Sequence, residues 1–547
     1  MMKQVLIYFG AIWVVYCSQG FAAETVLTNL SVVNVETLQM QRNVTLVIQD
    51  NKIAKLTKQS YQSENENAVY IDMQGKFAIP GLIDAHVHHA TDPDGFDNFA
   101  VTQQRLQHLL RGGVTSVRDM GGDARALLNL KRLAEIDQIQ SPDIYFSTII
   151  GGEVFFADPR TISSAKGRVP GETAWMKSVD INSDFDSVVL QAKGIGATGI
   201  KVYASVPAEV LAPLYQAAKR HDLQVWSHAS ISPAKPLDSV LAGADVLSHV
   251  PDLAGEVIDN FRDWRLGKFD ISDSVYEQSL NPDAYAELFA EMKQRNVIID
   301  ATIALFEKRK AINPLRQKTY EQAKTLLRLA VSYGVKIGAG TDSFADLNLD
   351  PLPPLYYELS ALVNEGGLTP LQSIQSATLI NAEALGIEDT HGSIKMGKIA
   401  NLVLLNADPS ADVHNTQEIA HVIKNGRFVF RGNDPSLPFV NAREVNGMLW
   451  LSGQLGNLPT TMTLAGNTIE AQMHQAIKNV GHILRDNSLD YSDVVKCTLM
   501  LADISEWSKA NAVYQQYFKD SLPTRSAFGA SGLALNAKVE IECVAQL

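Results

Sequence analysis

Cysteine is scarce in this chain of 547 residues, which has three, Cys17, Cys497 and Cys543. So few cysteines exclude a disulfide framework of the kind that holds small secreted domains together. Cys497 and Cys543 lie in strand-like runs; an oxidising compartment would allow them to pair, but we expect buried free thiols. Positive charge is also scarce, since 47 Lys and Arg residues stand against 60 Asp and Glu residues, without any Lys/Arg-rich tract. The net charge of -13 argues against a nucleic-acid partner.

Long apolar runs are also rare, and the exception lies at the N-terminus. An apolar stretch over residues 5–16 follows a lysine, and Gly20 and Ala22 occupy the -3 and -1 positions of a cleavage site. A stretch of this length is too short for a normal transmembrane helix. The pattern predicts a signal peptide over residues 1–22 and a periplasmic or secreted protein without a stable membrane span. The bulky Tyr16 before the first cysteine argues against a lipoprotein.

The middle of the chain alternates strand and helix patterns over residues 80–392. Eight such strands predict an α/β fold with a (β/α)8 TIM-like barrel. The predicted strands are 78–88, 114–119, 144–150, 199–203, 224–228, 246–249, 297–303 and 335–341. Short strand patterns flank the barrel, and we expect residues 23–79 and 393–434 to form one composite β-sandwich domain.

Polar residues stand where the predicted barrel strands end, which is where such barrels carry their chemistry. His86 and His88 are two residues apart in a strand and therefore point to the same face. A single pair of this kind is a weak signal, but further candidates end the later strands. These are Lys201, His228, His249 and Asp342. Neutral imidazoles and carboxylates suit zinc and similar divalent ions, so the set predicts a metal centre.

Several stretches resemble the amidohydrolase superfamily, in particular its imidazolonepropionase-like and prolidase-like branch. They cover 80–88, 113–119, 196–203, 227–229, 243–249, 338–343 and 392–405. The resemblance implies two divalent ions, with zinc as the expected metal, and a carbamate that Lys201 forms with CO2 and that bridges them. His86, His88 and Asp342 would hold one ion, and His228 and His249 the other. A structural lysine at a mononuclear site is the alternative for Lys201.

The implied reaction is the hydrolysis of a carbon–nitrogen bond. A bound divalent ion lowers the pKa of water toward neutrality, so that hydroxide is available to attack an amide carbonyl. Asp342 would take the proton from that water and deliver it to the leaving amine. The catalytic candidates are Asp342, His249 and Tyr203; Tyr203 shares the face of Lys201 and could polarise the carbonyl.

The loop after the third strand is expected to line the site. Arg160 or Arg168 would hold a substrate carboxylate and Phe155 would contact an apolar side chain, although an ordinary surface loop explains these residues equally well. The expected substrate is a dipeptide or N-acyl amino acid, of the X-Pro or X-Arg/Lys dipeptidase type. Hydrolysis of a cyclic amide, or deamination of a heterocycle, is the alternative.

Residues 435–547 resemble a RidA (YjgF-like) domain, which implies an α+β, chorismate-mutase-like fold. The matching site positions are Ser452, Asn511, Arg525 and Glu542. Phe439 replaces the usual tyrosine and Ala527 a common cysteine, which puts catalysis in doubt. The resemblance leaves two functions open: an imine or enamine deaminase whose arginine binds a carboxylate, and a module that assembles a homo-oligomer.

Overall fold

The computed structural model describes residues 24–89, 99–344, 352–431, 439–458, 463–487, 489–519 and 521–547. The predicted signal peptide therefore lies outside the described residues. No helix of the described ranges is both long and apolar enough to cross a membrane.

A curled parallel sheet forms the centre of the chain, and its strands are almost wholly buried. Within the described ranges its main strands are Leu82–His88, Val114–Asp119, Asp143–Gly151, Gly199–Val202, Gln224–His228, Val246–Ser248, Ile298–Asp300 and Ile337–Gly338. Ile337–Gly338 pairs with the seventh strand, and Ser343–Phe344, a few residues later, pairs with the first. One segment thus joins both ends of the sheet, and the predicted α/β barrel fold is confirmed. The short strand Met176–Ser178 pairs beside the third strand.

Helices cover the outside of this sheet, as the alternating pattern predicts. Those of the described barrel region are Phe99–Arg111, Ala124–Glu135, Pro159–Ser164, Phe185–Gly194, Ala208–Arg220, Pro236–Ala242, Phe261–Arg265, Asp273–Gln278, Ala286–Gln294, Ile303–Arg309, Pro314–Tyr333, Leu355–Asn364, Pro370–Gln375 and Asn381–Leu385. The predicted seventh strand is too long, because its apolar run continues into the helix that begins at Ile303. The predicted first strand breaks at Gly81, whose amide donates to the carbonyl of Asn401.

The segments on either side of the barrel contribute to a second sheet. Along that sheet the strands are Arg427–Arg431, Ile419–Lys424, Leu402–Leu405, Phe77–Pro80, Glu24–Asn34, Gln39–Gln49 and Lys52–Thr57, with Val69–Asp72 beside Glu24–Asn34. Leu402–Leu405 runs antiparallel to Phe77–Pro80 and connects the two segments. Because Phe77–Pro80 leads directly into the first barrel strand, this sheet fixes where that strand begins.

The C-terminal unit is an α+β layer. Its described strands are Ala442–Val445, Met448–Leu451, Gln454–Leu455, Val494–Leu501, Thr524–Gly529 and Val539–Gln546. The helices Ile469–Asp486 and Trp507–Tyr517 supply buried residues to the core that they share with this sheet. The opposite face carries partly exposed side chains.

Cys497 and Cys543 form a disulfide, so the expectation of free thiols was wrong. The two residues lie directly opposite each other on antiparallel strands, with Cα atoms 4.2 Å apart. Sequence spacing alone does not reveal this register, because the strands are separated by two other elements of the same unit.

Replacing Cys497 and Cys543 together by alanine should lower the free energy of unfolding of the C-terminal unit by about 2–4 kcal/mol, since the bridge restricts the unfolded chain. Urea unfolding followed by tryptophan fluorescence, with and without dithiothreitol, measures the loss. Reductant should destabilise the wild type and leave the double variant unchanged. Equal midpoints for wild type and variant under oxidising conditions would contradict this expectation.

Candidate metal centre

His86 and His88 extend from the end of the first barrel strand. Their Nε2 atoms lie 3.5 Å and 3.3 Å from Oδ1 of Asp342, which follows the eighth strand. One ligand atom from each of the three residues belongs to a group whose members all lie within 4.8 Å of one another. The three side chains form a compact donor set for one metal ion.

His228, His249 and Lys201 lie beside this group. The ring centroid of His249 is 4.8 Å from that of His86 and 5.0 Å from that of His228. Lys201 is fully buried, and its Nζ donates a hydrogen bond to Oγ of Ser248, the residue before His249. The six side chains that the strand ends predict are thus brought to one place.

Each of the four histidines has its Nδ1 held by an oxygen atom. Nδ1 lies 2.6 Å from Asp300 Oδ2 in His86, 3.0 Å from the Gly121 carbonyl in His88, 3.0 Å from the Tyr203 carbonyl in His228 and 2.9 Å from Thr302 Oγ1 in His249. A carbonyl oxygen only accepts, so Nδ1 of His88 and of His228 carries the proton. Such contacts orient the rings and direct Nε2 toward the site.

The protonation states favour metal binding. Burial lowers the pKa of His86, His228 and His249, so these imidazoles are neutral at neutral pH and keep a lone pair for a cation. Burial alone would raise the pKa of Asp342, but the hydrogen bond with His88 brings that pKa below its usual range, and the same contact, against the effect of burial, raises the pKa of His88. Neutral imidazoles with an ionised carboxylate are the donors that zinc-like ions bind.

The backbone around the site is locally strained. φ is 71° at His249, 48° at Thr302 and 50° at Asp342, a left-handed conformation that costs free energy in non-glycine residues. At Gly340 a Cβ atom would collide with the carboxylate of Asp300. The eighth strand can approach the seventh this closely only because residue 340 is glycine.

Tyr203 and Phe155, both predicted from the sequence, line the site. The Tyr203 ring lies 4.7 Å from that of His228, and its hydroxyl donates to the carbonyl of Met120. Phe155 stacks on Tyr203 with ring centroids 5.3 Å apart. The loop after the third strand therefore provides an aromatic wall beside the candidate metal ligands.

The two arginines predicted to bind a substrate carboxylate lie in positions that are unfavourable for that role. Arg160 donates through Nε and Nη2 to the two oxygens of Asp158, at 3.1 Å and 2.7 Å. Its planar donor edge is therefore already engaged. Arg168 is exposed, in a turn beyond the helix Pro159–Ser164.

Asp300 and Arg118 are site residues that the sequence reasoning missed. Asp300 Oδ2 accepts from Arg118 Nη2 at 3.1 Å and from Ser248 Oγ at 3.3 Å, in addition to its contact with His86. Burial lowers the pKa of Arg118 to about 10, so the guanidinium stays charged at neutral pH. One signal was available: Asp300 is an acidic residue that ends an apolar barrel strand, the same pattern that identified the other candidates.

In the C-terminal unit, Arg525 and Glu542 lie on opposite faces of the sheet. Arg525 aligns with the buried Cys497 and places its guanidinium 4.7 Å from the ring centroid of Tyr514, on the helix side. Glu542 aligns with Thr498, the next residue along the strand, and is exposed. Within one chain these two side chains do not meet.

The other predicted positions of this unit lie near its surface. Ser452 Oγ donates to the carbonyl of Val440 at 2.6 Å, and Asn511 is partly buried on the helix Trp507–Tyr517. Phe439 is 53% exposed, and Ala527 is partly buried on the strand of Arg525. The positions that depart from the RidA pattern therefore both lie among the described residues.

Comparisons with known proteins divide the chain between the barrel region with its second sheet and the C-terminal unit. A family model described as Amidohydrolase family matches residues 77–429, and one described as Endoribonuclease L-PSP matches residues 432–547. Among solved structures, a Xaa-Pro dipeptidase with bound methionine is 22% identical, with a TM-score of 0.58 over 75% of this chain and 100% of that one. The A. niger ochratoxinase is 21% identical, with a TM-score of 0.58 over 76% of this chain and 97% of that one. Identities this low show a shared fold.

Curated relatives match the C-terminal unit. Reactive Intermediate Deaminase A from Arabidopsis thaliana is 43% identical over 110 residues, which are 20% of this chain and 59% of that relative. The human 2-iminobutanoate/2-iminopropanoate deaminase is 37% identical over 108 residues, which are 20% of this chain and 79% of that protein. The likeness to these relatives is confined to about a fifth of the chain.

An Asp300→Asn variant should bind added zinc about 10- to 100-fold more weakly than the wild type, because the carboxylate that orients His86 is lost while the side-chain shape is kept. Competition with a chromophoric chelator measures the affinity. Glu358→Gln is the matched control, since Glu358 is a buried carboxylate that accepts from the backbone amides of Ile303 and Ala304. Unchanged affinity in the Asp300 variant, or an equal loss in both variants, would contradict the assigned role.

Proposed function

Because the chain belongs to the amidohydrolase family over residues 77–429 and carries a C-terminal unit of the Endoribonuclease L-PSP family, we propose that it is an exported, metal-dependent hydrolase of dipeptides or N-acyl amino acids. The family is one of hydrolases that act on carbon–nitrogen bonds. The observation that carries the proposal is the convergence of His86, His88, Lys201, His228, His249 and Asp342 at the strand ends.

The donor set fits two divalent ions, with zinc as the expected metal. His86, His88 and Asp342 would hold one, and His228 and His249 the other. When bound, such ions act as Lewis acids that polarise an amide carbonyl and make water more acidic.

Lys201 is the residue that would join the two donor groups. Burial lowers its pKa well below the usual value, which favours the neutral amine with its lone pair. This nitrogen would form a bond to the carbon of CO2 and lose a proton, giving a carbamate whose oxygens can bind a cation, as an ammonium group cannot. The alternative of a structural lysine predicts a single ion per chain.

We assign proton transfer to Asp342 and polarisation of the substrate carbonyl to Tyr203. The ionised Asp342 carboxylate would accept a proton from the attacking water and pass it to the nitrogen of the leaving amine. Burial raises the pKa of Tyr203, so its hydroxyl stays protonated and can donate to the carbonyl oxygen once it leaves Met120. Unchanged turnover in a Tyr203→Phe variant would remove this residue from the mechanism.

Two observations support the proposed substrates and location. Phe155 and Tyr203 give the site an aromatic wall that suits an apolar side chain, and a Xaa-Pro dipeptidase and an ochratoxinase share the fold. The Cys497–Cys543 disulfide suits an oxidising compartment such as the periplasm. Cyclic-amide hydrolysis and heterocycle deamination remain the alternative reactions for the same residues.

The C-terminal unit has a second candidate function, imine deamination, which its likeness to the iminobutanoate deaminases favours. Its open sheet face, which carries Glu542, exposes Trp450 by 54% on the strand Met448–Leu451 and Phe528 by 49% on the edge strand Thr524–Gly529. Large apolar side chains exposed on the open face of a sheet favour a protein–protein interface. We propose that a second copy of the chain covers this face.

Chelation with 1,10-phenanthroline should abolish dipeptide hydrolysis, and zinc should restore it.

Lys201→Ala should lower the metal content from two ions per chain and reduce turnover about 100-fold or more, because the bridging ligand is lost. Lys193→Ala, which removes an exposed lysine, is the control. Metal analysis that gives one ion per chain in both wild type and Lys201→Ala would exclude the binuclear site. Turnover that survives chelation but disappears in Arg525→Ala would transfer the activity to the C-terminal unit.

Phe528→Glu should weaken self-association at least about 10-fold, because a buried aromatic contact is replaced by a charge. Sedimentation velocity over a concentration series measures the change. Ile312→Glu alters an exposed apolar residue of the barrel region and should leave the association state unchanged. A wild type that is monomeric at every concentration would refute the proposed interface.

A further inference from the structure

Three arginines lie together at the side of the candidate metal centre, in a protein whose net charge is -13. Arg262 and Arg265 belong to the helix Phe261–Arg265, which follows the sixth barrel strand, and Arg160 to the loop region after the third. With their partners Asp158 and Asp252 they form what we call the arginine cluster. Its charges leave an excess of one positive charge.

The three arginines differ in how their donors are used. Arg160 makes two hydrogen bonds to Asp158, and Arg265 pairs with the fully buried Asp252 at 3.3 Å. The nearest acidic contact of Arg262 is Asp158 Oδ2 at 3.7 Å, beyond hydrogen-bond range and already held by Arg160. Within the described ranges, the Arg262 guanidinium forms no hydrogen bond, although the side chain is only 16% exposed.

A guanidinium that is largely shielded from water and whose donors are not used by the protein favours an anion that can accept from it. Burial, followed by the neighbouring charges of Arg160 and Arg265, lowers the pKa of Arg262. A further negative charge at this point would relieve that repulsion. An anionic ligand would therefore offset the excess positive charge of the arginine cluster.

The position of Arg262 connects it to the reacting centre. Its guanidinium lies 5.2 Å from the ring centroid of Phe155, which stacks on Tyr203, and Tyr203 contacts His228. Arg265 lies over the ring of Phe306, whose centroid is 6.3 Å from that of the His249 ring. The helix Phe261–Arg265 is thus connected to the site through the rings of Phe155 and Phe306.

We propose that Arg262 determines specificity by binding the free carboxylate of the substrate, so that the preferred substrates are amides whose leaving amine is an amino acid. The planar fork of Arg262 matches the two oxygens of a carboxylate, and the residue replaces Arg160 and Arg168 in this role. The inference rests on the proposed hydrolysis of dipeptides or N-acyl amino acids and assigns the residue that recognises their free carboxylate.

The test pairs each acid with its neutral counterpart. N-acetyl-L-proline, N-acetyl-L-leucine and N-acetyl-L-arginine, with glycyl-L-proline and glycyl-L-leucine, are each assayed beside their C-terminal carboxamides on the zinc-loaded full chain. The wild type should prefer the acid, and Arg262→Gln should lower kcat/KM for the acid about 10- to 100-fold, mainly through KM. The preference for acid over carboxamide should then largely disappear.

Two further variants separate recognition from structure. Arg262→Lys keeps the charge but not the fork, and should retain part of the preference. Arg168→Gln removes the exposed arginine of the same site region and should leave the ratio of acid to carboxamide unchanged. An equal loss of preference in Arg168→Gln and Arg262→Gln, or a wild type that hydrolyses acid and carboxamide equally, would overturn the inference while the hydrolase function stands.

Calorimetric titration with the same acids and carboxamides supplies a readout that does not depend on turnover of the variant. Tighter binding of the acid to wild type than to Arg262→Gln supports the inference. If no compound is hydrolysed, the proposed function fails, and binding alone then decides. Equal affinities of wild type and Arg262→Gln for every acid would overturn the assignment of Arg262.

Discussion

The buried carboxylate of Asp300 is the interaction on which the rest of the site depends. One of its oxygens contacts His86, Arg118 and Ser248, and Ser248 accepts from Lys201. Asp300 and Arg118 are both almost fully shielded from solvent, so neither charge is tolerable without the other. Breaking a buried pair of this kind costs about 3–5 kcal/mol, because one charge is left uncompensated. The same contacts orient His86 and, through Ser248, Lys201.

Closure of the barrel is the second constraint, and it determines where Asp342 stands. Asn381 donates to the carbonyls of Ile83 and Ala339, at 2.6 Å and 2.7 Å, and thereby connects the first strand to the eighth. Asp84 accepts from the amide and hydroxyl of Thr341 just before Asp342. Burial raises the pKa of Asp84 to about 7. These contacts hold the strained turn that presents the Asp342 carboxylate to the histidines.

The sequence predicted the barrel and the convergence of the candidate ligands because both depend on local pattern: apolar strands, each ending in a polar residue that such a fold brings to one edge. Pairwise contacts between distant segments were harder to foresee. The Cys497–Cys543 pair depends on the register of two strands, and the role of Asp300 depends on which neighbours surround the seventh strand. Arg262 lies on the short helix Phe261–Arg265, which the sequence reasoning did not predict, so only the folded chain reveals that it reaches Phe155.

The two units differ in whether a single chain supplies all the residues of the candidate site. In the barrel, the candidate ligands, their orienting oxygens and the arginine cluster all come from one chain. In the C-terminal sheet, Arg525 and Glu542 align with consecutive residues of the strand between them and therefore face opposite sides. A ligand that contacts both side chain types must therefore lie between two copies of the chain, with Arg525 from one copy and Glu542 from the other. Assembly through the open sheet face is therefore a requirement for a site that uses both residues, whereas the barrel site has no such requirement.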